Sequence, residues 1–404
     1  MPFSLCVLPP YQGQNRPGKN SLSAGKGFRV VNRPVRVLQV VRAVPGGGAE
    51  AWLLKATRQI DRDRIKSDFC CLWPPSASLC EEVTALGGRV ILCPLRSNLA
   101  TFPRRFRQLL RVERYDVVHS HVGLPSGVVL REAMLEGVPK RLAHSHNSND
   151  LHPRSLLRGV WRAAMRTAVQ KYATAGLACS EAAARFLFGS QWRSDPRFRV
   201  LHCGINLDQF RTLPSREETR REFEIPVDAP VVGHVGLFEH RKNQAFLLQV
   251  GREILKVRPE VRFLLVGDGP MRPKIEAMAR EFGLDKNVVF AGQRSDVPRL
   301  MLSAMDVFAL PSFEEGLAIV LTEAQAAGLH SLASSAVPAE ASVVPGGVER
   351  LSLSDGPKPW AATLLRLLQS GRLEKQMGLG MIEQTDFNIR RSCSELARIY
   401  GEGD

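Results

Sequence analysis

Short apolar runs alternate with helix-forming stretches along most of this chain, and that alternation limits the fold more than composition does. The first run, VRVLQVV from Val35 to Val41, is followed by the glycine turn PGGGAE, Pro45 to Glu50, and by a helix expected from about Ala49 to Ile60. A strand over KSDFCCLW, a helix over 77–86, a strand from Val90 to Cys93, a basic helix from Phe102 to Val112 and the strand DVVHS, Asp116 to Ser120, continue the pattern. Strands that each wait for a crossover helix pair in parallel, so the expected class is α/β. Groups that meet a ligand in such sheets lie at the carboxyl ends of strands. At 404 residues the chain has room for two or three domains.

The richest stretch is PSFEEGLAIVLTEAQAAG, Pro311 to Gly328, entered from the apolar run Val307 to Leu310. Strand, tight turn and helix start together leave free N–H groups and a positive dipole end over Gly316 and Leu317, which is a local anion site. Glu315 and Glu323 stand eight positions apart, about 10–12 Å at most along a helix. Paired glycosidase carboxylates lie closer, at about 5–9.5 Å. The spacing suits two grips on one long, phosphate-centred ligand instead.

PS-x-x-EG followed by EA-x-x-x-G, with Glu-x7-Glu from Glu315 to Glu323, resembles the signature of family-4 retaining glycosyltransferases, and further segments match in order across roughly residues 35–402. AQAAGL and SDVPRLMLSAMDVFALPS resemble most the branch that builds bacterial capsule and exopolysaccharide. The resemblance implies the GT-B fold, two Rossmann-like parallel-sheet domains facing across a cleft. Residues 1–34, rich in Gly, Pro, Asn and basic residues and without clear periodicity, read as a disordered or loosely attached extension, and the resemblance implies an N-terminal acceptor-binding domain over 35–205 and a C-terminal nucleotide-sugar-binding domain over 206–385. A C-terminal helix over 386–404, its last part about Arg390 to Tyr400, is expected to pack back on the first domain. VLHCGINLDQF, Val200 to Phe210, resembles the crossover between domains, and the charged stretch 211–229 reads as linker.

The resemblance also places roles. His121, Lys242 and Glu315 are the expected catalytic residues. In GHVGLFEHRKN, Gly236 and Lys242 would meet the nucleotide diphosphate. The family's usual arginine before Lys242 is Leu237 here, and Arg241 is a candidate substitute. LLVGDGP, Leu264 to Pro270, matches a loop of the donor domain. Gln293 and Arg294 in FAGQRSDVP would read the nucleobase through backbone groups. Glu323 would take the ribose hydroxyls and Glu315 a sugar hydroxyl, with the amides of Gly316, Leu317, Ala318 and Ile319 on the β-phosphate. Gly46, Gly47, Gly48, Glu50, His144 and His146 would line the acceptor side. No cofactor and no metal are implied. The substrate would be a nucleotide sugar of the UDP class and the partner a glycan or lipid-linked acceptor.

Charge adds a surface partner. Residues 1–205 hold 31 Lys+Arg and 13 Asp+Glu, a balance of +18, and the remaining 24 and 27 give −3, which together make the net +15. One basic body implies an anionic surface. Arg104, Arg105 and Arg107 on one helix, and Arg154, Arg158, Arg162 and Arg166 at every fourth position from about 154 to 171, would face it, with Leu156, Leu157 and Trp161 as an apolar edge. A cytoplasmic enzyme held peripherally on the inner face of the plasma membrane fits that pattern. No run approaches 18 apolar residues, and MPFSLCVLPPYQ lacks a basic leader. Eight scattered cysteines without Cys-x-x-Cys read as reduced thiols rather than a zinc site. Asp61 and Asp63 fall between helix and strand among basic residues, which suits a solvated loop better than a metal site. The charge also raises a nucleic-acid binder, but no recognition motif supports it. A sugar-nucleotide epimerase of the same fold would share most of these segments, and so would a catalytically weak relative marked by Leu237.

Overall fold

The computed structural model describes residues 33–42, 48–94, 101–149 and 155–401, so Gly46, Gly47, Arg154 and residues 1–32 of the extension lie outside it. Among the described residues, thirteen strands form two sheets. The first contains β1 (Val35–Val41), β2 (Ile65–Cys71), β3 (Val90–Leu92), β4 (Val117–Ser120), β5 (Lys140–Ser145), β6 (Ala175–Ala178) and β7 (Phe198–Val200), in the order β3-β2-β1-β4-β5-β6-β7. The second contains β8 (Val231–Val235), β9 (Arg262–Val266), β10 (Val288–Gly292), β11 (Val307–Leu310), β12 (His330–Ser334) and β13 (Val348–Leu351), in the order β10-β9-β8-β11-β12-β13. All of these pairings are parallel, with Val37 opposite Val117 and Val307 opposite Val232. The α/β reading therefore holds in both halves.

Helices cover both faces of each sheet, which is why the central strands read as unbroken apolar runs: all four residues of β11 are fully buried. Strand order reverses between β1 and β4, and again between β8 and β11. At such a reversal the crossovers leave on opposite faces and a crevice opens at the strand carboxyl ends. His119 to His121 end β4, and Gly236 and Ser312 follow β8 and β11, so the topology alone puts the singled-out residues at the two crevices.

The stretch 211–229 is more than a connection. Ser215 Oγ accepts the Glu218 amide at 3.1 Å and starts the helix Arg216–Arg221. Arg220 is fully buried. Its guanidinium donates to Val227 O and Ala229 O, each at 2.7 Å, and to Asp306 Oδ2 at 2.8 Å, which also takes the amide of Val231 at the head of β8. A charge-rich segment looks solvated in sequence, but a buried guanidinium is stable when its donors are taken by carbonyls and a carboxylate.

The helix Ile389–Tyr400 lies against the helix Gly48–Gln59 and the first sheet. Tyr400 Oη accepts Gln39 Nε2 at 3.0 Å and stands 2.7 Å from His119 Nδ1. Two outer helices carry the basic residues. On Phe102–Glu113, Arg104 and Arg105 are exposed, whereas Arg107 is tied to the buried Glu132 at 3.1 Å. On Leu156–Tyr172, Arg166 donates to Phe186 O at 2.8 Å, Arg162 is half-buried, and Arg158 stacks over Trp161 at 4.1 Å. The most exposed face of that helix is apolar: Leu156, Leu157 and Val160 are 91%, 84% and 70% exposed. No helix among the described residues is long and apolar enough to cross a membrane.

Candidate active site

β11 ends at Leu310, and the chain turns through 311–318 into the helix Ile319–Ala326. Ala318 takes φ 63°, a left-handed conformation that costs a side-chain-bearing residue energy and recurs where a loop is held for function. Leu321 N–H reaches Ala318 O at 2.8 Å. Among the described residues, the amides of Leu317, Ala318, Ile319 and Val320 donate to no backbone carbonyl. They are the orphan donors of a helix start, gathered over one turn.

Glu315 is 5% exposed beneath that turn. Lys242 Nζ and Ser312 Oγ donate to its Oε1 at 2.6 and 2.7 Å, and Arg241 Nη1 lies 3.4 Å from Oε2. Burial pushes this carboxyl up, but the ammonium of Lys242 and then the guanidinium of Arg241 pull it further down, so it sits below the ordinary range. Lys242 reaches it from the loop after β8, where glycine matters twice. A Cβ on Gly236 would press on the Lys242 stem at 3.3 Å, and one on Gly267 would fall 2.1 Å from Gly236 O. The Gly-Asp-Gly loop thus backs directly onto the turn that delivers the lysine.

Glu323, one helical turn into Ile319–Ala326, is 3.6 Å from Lys55 Nζ of the first domain. Burial raises its pKa and Lys55 partly offsets the rise. Gln293 is exposed. Arg294 spends its guanidinium on Asp296 at 2.8 Å and Glu222 at 2.9 Å.

The first domain closes on the 312–318 turn. A Cβ on Gly316 would stand 2.0 Å from His146 O, so only glycine allows this approach. Ser180 Oγ donates to Gly316 O at 2.6 Å, Ser148 Oγ to Glu315 O at 2.9 Å, and Asn149 Nδ2 to Glu314 Oε2 at 2.9 Å. Sequence reasoning misses Lys55, Ser148, Asn149 and Ser180. Ser180 announces itself only as the cap of the helix Glu181–Phe188, accepting the Ala183 amide at 3.1 Å. Its second bond, to a residue 136 positions away, has no local signal.

On the first domain, His121, His144 and His146 do come together, joined by His119. His121 spends both ring nitrogens inside the domain, with Nδ1 2.9 Å from His146 Nε2 and Nε2 3.0 Å from Gln39 Oε1. Trp52 packs its ring 5.4 Å from His144 and 5.9 Å from His146, so the helix that begins with Gly48 and Glu50 lies over the cluster. Burial lowers all four imidazoles, His119 to about 3 and His146 to about 4, so they are neutral near pH 7. The sequence carries His-x-His at 119–121 and at 144–146, and ligand atoms of His119, His121 and His144 lie within 4.8 Å of one another, as do those of His144, His146 and Cys203. These ligands come from separate strands, which spacing rules do not read. Asp61 and Asp63 form a local turn, with the Asp63 amide on Asp61 Oδ1 at 2.9 Å.

Two family models match in sequence order: Glycosyltransferase Family 4 over residues 46–209 and Glycosyl transferases group 1 over 215–380. EpsF of Bacillus subtilis (strain 168), named as a glycosyltransferase, is 32% identical over 369 residues, covering 90% of this chain and 96% of that protein. The chain belongs to glycosyltransferase family 4. CapH of Staphylococcus aureus, named a capsular polysaccharide biosynthesis glycosyltransferase, is 25% identical and covers 91% of this chain and 98% of its own length. The fold agrees: Anabaena HepE, solved with UDP, superposes with a TM-score of 0.73 at 19% identity over 90% of this chain and 98% of that one. WaaG, described as a glycosyltransferase involved in lipopolysaccharide biosynthesis, superposes at 0.69 with 18% identity over 91% and 100%. This family-4 glycosyltransferase has the GT-B architecture, with one Rossmann-like sheet on each side of the contact at Gly316.

Proposed function

We propose that this glycosyltransferase moves a sugar, with retention of configuration, from a nucleotide-diphosphate sugar to a hydroxyl of a growing lipid-linked glycan of the capsule or exopolysaccharide type. The observation that carries the reading is the turn after β11: unpartnered amides from Leu317 to Val320 directly above the buried Lys242–Glu315 pair. Donors fixed in a buried turn stabilise charge that grows on a leaving diphosphate without reorganising. Solved structures of HepE hold UDP, UDP with glucose, and UDP-glucose, which favours the UDP class here.

The residues divide the work. The amides of Leu317 to Ile319 and Lys242 hold the diphosphate, with Arg241 beside them in the place that Leu237 leaves empty of charge. Glu315 accepts a sugar hydroxyl, Glu323 the ribose hydroxyls, and backbone groups at Gln293 and Arg294 meet the base. As the anomeric C–O bond to the diphosphate breaks, the acceptor oxygen bonds to the same carbon from the same face, and its proton passes to a diphosphate oxygen. For His121 to touch the donor sugar, it must give up Gln39 or His146. Lys55 must likewise yield Glu323 when ribose binds. Gly46, Gly47, Gly48, Glu50, His144 and His146 border the acceptor side in this reading.

The exposed Leu156, Leu157 and Val160, with Arg158 among them, form the membrane-facing edge in this proposal, supported by Arg104 and Arg105. In this reading the enzyme sits peripherally on the cytoplasmic face, where a lipid-linked acceptor would be presented. Calorimetric titration with UDP, GDP and ADP sugars tests the donor claim. UDP-sugar binding that persists in EDTA is expected, and no binding by any of the three would end it.

A further inference from the structure

His121 is tied into the first domain through both ring nitrogens, and the two ties differ in firmness. Nε2 stands 3.0 Å from Gln39 Oε1, and Nδ1 stands 2.9 Å from His146 Nε2. Gln39 is buried and is itself held, because its Nε2 donates to Tyr400 Oη at 3.0 Å and faces Ser67 Oγ at 3.4 Å. Two amide hydrogens thus meet two oxygens, and the amide oxygen is left to accept. Turned round, the amide would set two hydrogens against the single lone pair of His121 Nε2. Tyr400 is buried at the end of the helix Ile389–Tyr400, and its hydroxyl, 2.7 Å from His119 Nδ1, donates there while it accepts from Gln39.

These partners fix where the protons lie. A neutral imidazole carries one N–H, so the partner of one nitrogen sets the role of the other. Gln39 Oε1 can only accept, which puts the proton of His121 on Nε2 and leaves Nδ1 as a lone pair that accepts from His146 Nε2. The hold on the His146 side is weaker. His146 is half-buried, and its Nδ1 has Cys203 Sγ at 3.8 Å, a weak partner. Its backbone carbonyl abuts Gly316 of the donor turn, so His146 rather than Gln39 stands on the cleft side.

We propose that Tyr400 and Gln39 are positioning residues that hold His121 as the Nε2–H tautomer, so that it opens from His146 and offers its Nδ1 lone pair to a hydroxyl of the donor sugar. His121 is then a hydrogen-bond acceptor, and the sugar must carry a donating group at the position it reaches. The C-terminal helix acts on the cleft through Tyr400 and Gln39, which are 361 positions apart. The tautomer belongs to the protein alone, whereas its use on a sugar rests on the donor reading above.

Full-length protein labelled with ¹⁵N-histidine is examined near pH 7 by two-bond proton–nitrogen correlation, with His121 assigned from the signals that His121→Ala loses. The expected spectrum of the parent has a protonated Nε2 and a bare Nδ1 on His121. In Tyr400→Phe the opposite tautomer, or a mixture of the two, should appear, while His240 and His330 of the second domain stay unchanged. Gln39→Met should do the same, and it serves where circular dichroism shows that Tyr400→Phe does not fold. Calorimetry then compares UDP with UDP-glucose, a sugar nucleotide solved with HepE, and with its monodeoxyfluoro analogues. Both variants should bind UDP as the parent does and lose about 2- to 12-fold of the extra affinity of UDP-glucose. At one sugar position fluorine, which cannot donate, should cost the parent a similar factor, and His121→Ala should show no such cost there. An Nδ1–H tautomer in the parent overturns the proposal, as does an unchanged tautomer in the folded variants. If no fluorine position depends on His121, the sugar contact is wrong even where the tautomer is as expected. If the parent binds neither UDP nor UDP-glucose, the donor reading falls and takes the sugar contact with it, while the spectrum still decides the positioning role.

Discussion

Replacing Lys242 by methionine and Glu315 by glutamine, singly and together, separates a structural ion pair from a ligand grip. Lys242 Nζ and Glu315 Oε1 are 2.6 Å apart with both side chains at most 10% exposed. Breaking such a buried pair from one side costs about 3–5 kcal/mol when the remaining charge has no other partner. Here Glu315 keeps Ser312 at 2.7 Å and Arg241 at 3.4 Å, so Lys242→Met should cost about 2–3 kcal/mol in urea unfolding. The double variant should recover part of that, with a coupling of about 1–3 kcal/mol. Ligand affinity should split differently. Lys242→Met loses a charge-assisted donor, about 1.5–3 kcal/mol or roughly 10- to 150-fold in the Kd for UDP. Glu315→Gln removes a carboxylate that competes with the diphosphate for the same ammonium, so UDP should bind as well or a few-fold better. The extra affinity of a UDP-sugar over UDP should shrink in that variant, because the sugar's acceptor is weakened. Calorimetry with UDP and a UDP-sugar, beside the urea curves, reads both quantities on all four proteins. If Glu315→Gln weakened UDP and UDP-sugar equally, or Lys242→Met bound UDP normally, the assigned roles would be wrong.

Further outcomes follow from the same contacts. Glu315 titrates below the ordinary carboxylate range, so its contribution is present above about pH 4.3 and is lost as pH falls through its folded-state value; the stability gap between parent and Glu315→Gln should narrow from pH 5 to pH 3, and a constant gap would contradict the pair. Gly316→Ala puts a methyl group 2.0 Å from His146 O, so small-angle scattering should show a larger radius of gyration, with donor binding weakened; an unchanged profile would mean that the contact relaxes locally. Arg241→Ala should weaken UDP about tenfold or more, and Leu237→Arg on that background should restore binding; no loss in the first variant would remove Arg241 from the grip. Leu156→Glu with Leu157→Glu should abolish flotation with anionic vesicles while leaving UDP affinity intact, and continued flotation would remove this helix from the membrane-facing edge.

Much of the architecture could be read along the chain because parallel strands and their crossover helices are local objects. The runs VRVLQVV and VFAL are apolar throughout since both faces are covered, and the turn at 311–318 carries its own chemistry in order. What escaped was set by distance in sequence. Arg220 looks like one charge among many until Asp306 and four carbonyls surround it. Ser180, Ser148 and Asn149 serve the 312–318 turn from 136 or more residues away. Lys55 sits in an apolar stretch, and its partner Glu323 is on the other domain. The Arg158–Arg162–Arg166 stripe was visible as a period of four, but periodicity could not say that Arg166 would turn inward to cap Phe186 while the leucines faced out. The histidines were each legible at a strand end; that they stack into one pocket depends on β4 and β5 being neighbours.

A crystal soaked with UDP tests the central claim most directly. The account predicts the β-phosphate over the amides of Leu317 to Ile319, with Lys242 Nζ within hydrogen-bonding distance of it and the ribose against Glu323. UDP found elsewhere, or a diphosphate held without Lys242 and those amides, would contradict it.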